Sequence, residues 1–162
     1  MSSNLEKKLR DERYRFFEKT LEKNSILFMG HHLDDLIETF FLRALRGSGI
    51  EGLSSIPKER AVGKGKLIRP FLNIPKSEIL AKAKKDKLKF IKDPSNKDIS
   101  FDRNYLRNKV LPEIENRWPS YRKNLNQLIE NLKESSDLLI THAEKDFNAV
   151  SYTHLTLPTT YH

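Results

Sequence analysis

A short apolar segment that leads directly into an amphipathic helix constrains the fold of this chain more than any other feature. Residues 25–29 have the sequence Ser-Ile-Leu-Phe-Met, which predicts a short buried strand. In the segment that follows, apolar residues recur at helical spacing and predict one buried face, formed by Leu33, Leu36, Ile37, Phe40, Phe41 and Ala44. Helical and extended segments continue to alternate up to residue 102, so the sequence predicts an α/β fold with a parallel sheet.

The predicted junction between that strand and that helix carries a dense cluster of titratable side chains. Its members are His31, His32, Asp34, Asp35 and Glu38. Open α/β sheets bind ligands at such junctions, and carboxylates three or four positions apart on a helix repel each other unless a cation lies between them. A Mg²⁺ ion held by the carboxylates and by substrate phosphates would satisfy the cluster. The alternative is an acidic first turn that complements the helix dipole, with ordinary polar histidines.

A basic, glycine-rich segment ends the same predicted helix. The segment is Arg43-Ala44-Leu45-Arg46-Gly47-Ser48-Gly49. Its glycines allow a nest of backbone amides that binds an anion, and its arginines suit phosphate. The alternative is a plain glycine cap with basic residues in the last helical turn. Beside the acidic cluster, the segment favours a site for a nucleotide phosphate and its metal.

The composition narrows the class of protein. The chain of 162 residues has no cysteine, which excludes disulfides, cysteine nucleophiles, zinc–thiolate sites and iron–sulfur clusters. No apolar run approaches the length of a membrane span, so we expect no membrane partner and a cytoplasmic location. The formal net charge of +8 favours a polyanionic partner, most simply nucleic acid.

The chain divides into three predicted regions, 1–102, 103–150 and 151–162. The first begins with a predicted helix at 4–23, with Leu9 and Phe16 among its candidate buried positions. After the strand and helix described above it continues with a loop at 47–66, an extended segment at 67–72, a helix opened by Pro75, a short strand at 90–91 and a turn at 93–96. The second is a helical appendage, split at Pro112 and continued by a long amphipathic helix after Pro119. The third has no Lys, Arg, Asp or Glu and resembles a translated sequencing-adapter tail, so we predict that it is non-native.

Three motifs stand in order along the chain and together carry a family resemblance. They are Gly30-His31-His32-Leu33-Asp34-Asp35 with Glu38-Thr39, then Arg43 to Gly49 with Gly52-Leu53, then Asp93-Pro94-Ser95-Asn96 with Asp98, Arg103-Asn104 and Arg107. In this combination the chain resembles bacterial tRNA(Ile)-lysidine synthetases of the PP-loop ATP-pyrophosphatase superfamily. The resemblance extends over roughly residues 4–148.

The resemblance implies a Rossmann-like PP-loop sheet, here incomplete, followed by the helical appendage. It also implies a C–N bond-forming ligase that uses ATP and Mg²⁺. Such an enzyme adenylates the C2 carbonyl oxygen of the wobble cytidine in a CAU-anticodon tRNA(Ile) and releases pyrophosphate. Free lysine then attacks C2 and expels AMP. A homodimer is a further possibility.

The resemblance also implies roles for individual residues. Catalysis is expected from His31, His32, Asp34, Asp35, Glu38 and Arg43, with Asp34, Asp35 and Glu38 as the metal ligands or as groups that orient the lysine amine. The ATP site is expected at Arg46, Gly47, Ser48 and Gly49. Substrate and tRNA contacts are expected from Asp93, Ser95, Asn96, Arg103, Asn104 and Arg107. The alternative for residues 93–96 is a structural turn and helix cap.

One departure from the family pattern qualifies these expectations. PP-loop enzymes carry a Ser-Gly-Gly-x-Asp-Ser motif after their first strand, and this chain has none. We therefore expect a fragment that begins partway through the catalytic domain, ends before the full tRNA-binding region and is inactive alone.

Other functions compete with this interpretation. A PP-loop enzyme that thiolates tRNA cytidine is disfavoured by the absence of cysteine, and an amidotransferase synthetase domain fits the second and third motifs less well. A non-catalytic basic RNA-binding module agrees with the net charge. The acidic cluster and the lack of an exposed aromatic series count against it.

Overall fold

The computed structural model describes residues 2–54, 56–91 and 93–154, with side chains described between 8 and 148. Within these ranges the strands are β1 (Ile26–Phe28), β2 (Glu59–Val62) and β3 (Gly65–Ile68). The α-helices are α1 (Ser2–Thr20), α2 (Leu33–Ala44), α3 (Ile50–Leu53), α4 (Lys76–Lys85), α5 (Asp102–Tyr105), α6 (Leu111–Arg117) and α7 (Tyr121–His154). A 3₁₀ turn at Pro94–Lys97 precedes α5, and a π-helical turn at Leu106–Val110 joins α5 to α6.

The three strands form one mixed sheet in the order β1-β3-β2. β1 runs parallel to β3, with Leu27 opposite Leu67, which confirms the predicted parallel pairing. The sheet also has an antiparallel strand that the sequence did not predict, because β2 lies inside the predicted loop at 47–66 and pairs antiparallel to β3. Only two residues separate β2 from β3, and a connection that short permits a hairpin but no parallel crossover.

Gly63 in the β2–β3 turn should be sensitive to substitution. Its φ is +55°, and a Cβ at this position would lie 2.4 Å from the carbonyl oxygen of Glu18 in α1. We expect Gly63→Ala to lower the free energy of unfolding by at least about 1 kcal/mol, measured in urea. Gly30→Ala is the matched control, since its φ is not positive and its Cβ would meet nothing within 4 Å. Equal stability of the two variants would contradict the expectation.

The core is built around α2. Leu33, Leu36, Ile37 and Phe40 are buried as predicted, whereas Ala44, at the end of the helix, is exposed. The same cluster contains Leu72, Leu111, Tyr121 and Ile129. The helical region after residue 103 therefore shares its core with α2, and the proposed division at residue 103 stays a prediction. This packing holds the N-terminus of α2 in place beneath the candidate site.

The structure can be compared with several local predictions. The segment from 103 to 117 is divided, as predicted, into α5, the π-helical turn and α6. No strand forms at 90–91, and Leu9 and Phe16, predicted to be buried in α1, are exposed. Helix α7 continues to His154, so the helical pattern does not break at residue 151. The rest of the predicted tail, residues 155–162, lies outside the described residues.

In the part of the chain that the structure describes, none of the helices combines the length and apolar character needed to cross a membrane.

Candidate functional site

A reciprocal cap organises the start of α2, directly after β1. His32 Nδ1 accepts the Asp35 backbone N–H at 3.3 Å, and Asp35 Oδ2 accepts the His32 backbone N–H at 3.0 Å. Capping of this kind satisfies donors that the first helical turn would otherwise leave free. Because Nδ1 of His32 is an acceptor, its neutral ring carries the proton on Nε2 and presents a donor there. The alternative interpretation, an acidic first turn of the helix, therefore applies to the part of the cluster formed by His32 and Asp35.

Asp34 connects α2 to α4 and α7. Its Oδ2 accepts the Lys76 backbone N–H at 2.8 Å, at the start of α4, and its Oδ1 accepts Arg122 Nε at 3.0 Å. Arg122 also donates to both carboxylate oxygens of Glu115. Burial by itself raises the pKa of Asp34, but the hydrogen bonds from Lys76 and Arg122 outweigh it and hold the pKa below its ordinary value.

Glu38 lies at the centre of an arginine network. Its side chain is 0% exposed and accepts two hydrogen bonds from Arg107, Nε to Oε1 at 2.6 Å and Nη2 to Oε2 at 2.8 Å. Arg103 Nε lies 3.6 Å from Oε2, while its Nη2 donates to Thr39 Oγ1. Burial raises the pKa of Glu38, although the Arg107 hydrogen bonds act in the opposite direction. Glu38 therefore serves to hold two guanidinium groups near α2.

The three carboxylates do not fit the predicted shared Mg²⁺ site. Asp34 and Glu38 direct both of their oxygens to guanidinium or backbone N–H donors, and Asp35 divides its oxygens between the His32 amide and Arg107. Across the described ranges, no group of three or more His, Cys, Asp or Glu side chains is arranged to hold a metal ion. Arginine side chains lie against the three carboxylates and relieve the repulsion that the spacing predicted, and the role of these carboxylates as metal ligands stays a prediction.

A polar cavity of about 430 Å³ opens beside this network. Its lining residues are His32, Asp35, Lys76, Ser95, Asn96, Phe101, Arg103, Asn104 and Arg107. Most of them were predicted from the first and third motifs, which the fold brings together. Sequence reasoning missed Lys76 and Phe101. Lys76 stands next to the helix-opening Pro75, but only the contact between α4 and Asp34 places it at the cavity.

The third motif is folded by its own side chains. Asp93 Oδ1 accepts the Ser95 N–H at 2.9 Å and caps the 3₁₀ turn. Asn104 Nδ2 donates to the carbonyls of Ser95 and Asp98, and Arg107 Nη1 lies 3.4 Å from Asn96 Oδ1. The alternative interpretation for residues 93–96, a structural turn and helix cap, therefore applies to Asp93. The turn that Asp93 caps forms one wall of the cavity.

The predicted ATP segment lies at the other end of α2. Gly47, with φ +72°, donates to the Ala44 carbonyl, and the Ser48 amide donates to the Arg43 carbonyl, which is a Schellman cap. Arg43 Nη1 donates to the Gly52 carbonyl at 2.6 Å, and Arg46 pairs with Asp102. This turn and the His32–Asp35 cap lie at opposite ends of α2, whose twelve residues span about 18 Å. The structure therefore does not bring the predicted phosphate turn and the acidic cluster together.

The two histidines should make stability depend on pH. Burial lowers the pKa of His31 and of His32, with Arg69 adding to the effect at His31 and Asp35 opposing it at His32. In the unfolded chain both pKa values return to about 6.5. As the pH falls below that value the unfolded state takes up protons first, so the free energy of unfolding should decrease between about pH 7.5 and about pH 5.5.

Urea unfolding of the chain and of a His31→Gln/His32→Asn variant would measure this effect. Asn keeps the ability to cap α2. The variant should show a smaller decrease over the same pH interval, and an equal decrease in both proteins would assign the pH dependence to other groups. Asp34 does not interfere, because its depressed pKa affects stability only at more acidic pH.

Several known proteins are similar to this chain in sequence. The tRNA(Ile)-lysidine synthase of Pseudomonas fluorescens is 39% identical over 149 residues, which cover 92% of this chain and 34% of that protein. The synthase of the same name from Pseudomonas putida is 42% identical over 144 residues, 89% of this chain and 34% of that protein. That of Buchnera aphidicola is 48% identical over 123 residues, 76% of this chain and 28% of that protein. The chain thus spans about a third of the length of these curated relatives.

The chain also matches the sequence model of a domain family. The PP-loop domain aligns with residues 1–114, which include the sheet, α2 and the residues that line the polar cavity. The resemblance drawn from the three motifs is thereby confirmed at the level of the family. The chain belongs to the PP-loop domain family.

Proposed function

We propose that this chain is part of a tRNA(Ile)-lysidine synthase. The enzyme would use ATP to adenylate the C2 carbonyl oxygen of the wobble cytidine in a CAU-anticodon tRNA(Ile), with release of pyrophosphate, and the amine of free lysine would then attack C2 and displace AMP. The named relatives, which align with most of this chain, support the proposal. Because the chain spans about a third of those proteins, the activity is proposed for the whole enzyme in which it resides.

The single observation that carries the proposal is the composition of the polar cavity. It combines a carboxylate, Asp35, with the cationic groups of Lys76 and Arg103 and the donor of His32. A reaction between an amino acid and a nucleotide needs this mixture, since the amine is cationic and the phosphate and lysine carboxylate are anionic. A simple RNA-binding surface would not require a carboxylate there.

Each group has a role that follows from its contacts. Asp35 binds the lysine ammonium and keeps the amine near the cavity. The Nε2 donor of His32 bonds to an oxygen of the adenylated intermediate, a role for which its lowered pKa keeps the ring neutral. Arg103, whose Nε has no hydrogen-bond partner among the described residues, stabilises charge on the α-phosphate. Arg107 is a positioning residue, because Glu38 and Asp35 occupy its guanidinium.

The remaining parts of the site are proposed from the family and from the position of each residue. ATP use follows from the PP-loop family. Mg²⁺ would enter with the ATP phosphates and keep water ligands, as is usual for this ion, since the three carboxylates are already engaged by N–H donors. Ser95, Asn96 and Asn104 would contact the tRNA substrate. The Arg43–Gly49 segment stays a candidate phosphate contact, and a homodimer and a cytoplasmic location stay predictions.

A chimeric enzyme tests the proposed function without depending on the length of this chain. The matching third of the Pseudomonas putida synthase is replaced by residues 4–148 of this chain, and lysine incorporation with ATP into a CAU-anticodon tRNA(Ile) transcript is measured. We expect the chimera to form lysidine, and we expect a transcript with a CAU-to-GAU anticodon to be inert. The unmodified relative serves as the positive control.

Three results would contradict the proposal. A chimera that folds and binds the tRNA but forms no lysidine would remove this chain from the lysidine synthases. Lysine-independent release of pyrophosphate with modification of the tRNA would indicate another PP-loop tRNA-modifying enzyme. Binding to any RNA, with no chemistry at all, would favour the basic RNA-binding module.

A further inference from the structure

One aromatic side chain lines the polar cavity, as far as the described residues form it. Phe101 is half-buried there, and all the other lining residues are polar or charged. Phe101 belongs neither to the core cluster around α2 nor to the apolar side chains packed against that cluster. None of the aromatic pairs found within the described ranges includes it. Packing therefore does not account for an aromatic ring at this position.

The place of Phe101 in its helix has no local explanation either. Phe101 is the N-cap residue of α5, with extended backbone at φ −89° and ψ 127°, and its side chain makes no capping hydrogen bond. Ser, Thr, Asp or Asn at an N-cap would accept a free amide of the first turn and stabilise the helix. Phenylalanine gives up that hydrogen bond. It places at the cavity wall an aromatic ring, on which a nucleobase can stack.

Asn104, three positions after Phe101, contributes a hydrogen-bond acceptor to the same cavity. Its Nδ2 donates to the Ser95 carbonyl at 2.9 Å and to the Asp98 carbonyl at 2.8 Å, so both amide protons are used. The two carbonyls also fix the orientation of the amide, because a flipped side chain would place its oxygen against theirs. No described residue donates to Asn104 Oδ1. Asn104 therefore offers a ligand an acceptor and no donor.

We propose that Phe101 and Asn104 form the subsite that holds the reacting base and selects cytosine. This inference rests on the proposed function and names the residues that recognise the base. The Phe101 ring stacks on the pyrimidine, and Asn104 Oδ1 accepts a hydrogen bond from the 4-amino group. Uracil carries an acceptor oxygen at that place, which would face the acceptor of Asn104. An unpaired anticodon base can leave its stack and be bound in this way.

This assignment leaves the reacting part of the base free. The 4-amino group and the C2 carbonyl lie at opposite ends of the Watson–Crick edge of cytosine, so a contact to the first does not cover the second. Asp35 and Arg103, proposed above for the chemistry, line the same cavity, whose volume of about 430 Å³ is in the range of small-ligand sites. Asn96 cannot replace Asn104, because its Nδ2 donates to the Asp93 carbonyl and its Oδ1 faces Arg107.

The first test varies the base and measures binding by the full chain. The probe is a fluorescently labelled anticodon stem-loop RNA, and its anisotropy reports the affinity. The wobble position carries cytidine, uridine or a pyrimidin-2-one riboside, which keeps the C2 carbonyl but lacks the 4-amino group. We expect the pyrimidinone RNA to bind about tenfold more weakly than the cytidine RNA, and the uridine RNA at least as weakly. Equal affinities for the cytidine and pyrimidinone RNAs would overturn the role of Asn104.

An Asn104→Ala variant tests the same contact from the side of the protein. It should reduce the preference for cytidine over pyrimidinone to less than about twofold, whatever its overall affinity, because the acceptor is gone. Asn108→Ala is the matched control, since Asn108 Nδ2 also donates to a carbonyl of this turn, that of Asn96, but the residue does not line the cavity. It should keep the preference. A purely structural role of Asn104 would leave the preference unchanged in both variants and would overturn the proposal.

Three further variants test stacking on Phe101. Phe101→Leu removes the ring but keeps an apolar side chain, Phe101→Trp enlarges the ring, and Phe147→Leu makes the first change at an exposed position of α7. We expect Phe101→Leu to weaken binding of the cytidine RNA about tenfold. Phe101→Trp should bind at least as tightly as the parent chain, and Phe147→Leu equally tightly. A side chain that only fills space would tolerate leucine better than tryptophan, so that order of affinities would overturn the proposal.

The binding measurements can fail separately from the proposed function, because they do not require lysidine formation. A chain that binds all three RNAs without preference, beside a chimeric enzyme that forms lysidine, would refute the base subsite alone. Absence of binding to every RNA would refute the subsite as well. An inactive chimera, beside a chain that prefers cytidine and loses this preference in Asn104→Ala, would refute the proposed function and support the recognition of cytosine.

Discussion

Replacement of Glu38 by glutamine is expected to lower the free energy of unfolding by about 3–5 kcal/mol, the usual cost of removing one partner from a buried ion pair. Glu38 is fully buried and accepts both of its short hydrogen bonds from Arg107, with Arg103 beside it. Glutamine keeps the shape of the side chain but removes the negative charge. Two guanidinium groups then lose most of their compensation. Urea unfolding monitored by circular dichroism measures the change.

The matched control is Glu12→Gln, which breaks an exposed Arg15–Glu12 pair and should change stability by less than about 1 kcal/mol. An Arg107→Gln variant and the double variant complete a mutant cycle that isolates the coupling between the two side chains. A strong coupling should appear, since the double variant removes both partners of the hydrogen-bonded Glu38–Arg107 pair. A loss for Glu38→Gln as small as that for Glu12→Gln would refute the structural role of the pair.

Replacement of Arg103 by glutamine in the chimeric enzyme should lower the rate of lysidine formation by about a hundredfold or more, the effect of removing one donor that stabilises transition-state charge. Arg103 lines the polar cavity, and its Nε has no hydrogen-bond partner among the described residues. The effect should appear in kcat, because the charge on the α-phosphate develops during the reaction. Single-turnover assays with saturating tRNA, ATP and lysine measure it.

Two companion variants separate chemistry from structure. Thr39→Val removes the hydroxyl that accepts Arg103 Nη2 without removing the charge, so a smaller loss of kcat is expected. Arg15→Gln changes the net charge equally at an exposed position of α1 and should leave the rate unchanged. If Arg103→Gln raises only the KM for tRNA, Arg103 acts as a backbone contact and its proposed role at the α-phosphate is wrong.

Local patterns predicted the central helix and much of the candidate cavity. The buried face of α2 was predicted from helical spacing, which is a property of neighbouring residues alone. The first and third motifs supplied most of the residues that line the cavity, because the chemistry of those side chains can be recognised from the sequence alone. The glycine turn also agreed with one of its two interpretations, since a C-terminal cap is a local structure.

The rest depended on residues that are distant in the sequence. Strand β2 was predicted as part of a loop, because it has only four residues, three of them exposed, and these show no alternation of apolar and polar side chains. Lys76 and Arg122 reach the site through their hydrogen bonds with Asp34. Asp34 is 42 residues from Lys76 and 88 residues from Arg122 in the sequence. Arg69 lies in the extended segment at 67–72, and the sequence predicted no role for it. Its contact with Tyr14, whose ring also carries Arg10 and Arg60, is seen only in the folded structure.

The sequence by itself determined that this chain forms an α/β domain of the PP-loop family with a charged junction before α2. Periodicity, turn chemistry and motif order are local and need no knowledge of distance in space. Only the tertiary structure decided how the charges are used. It placed arginines from α5, the π-helical turn and α7 against the three carboxylates, and it placed the glycine turn at the C-terminal end of α2, a helix about 18 Å long. Ion pairing depends on separations of a few ångströms between remote residues, and these arise only when the helices pack.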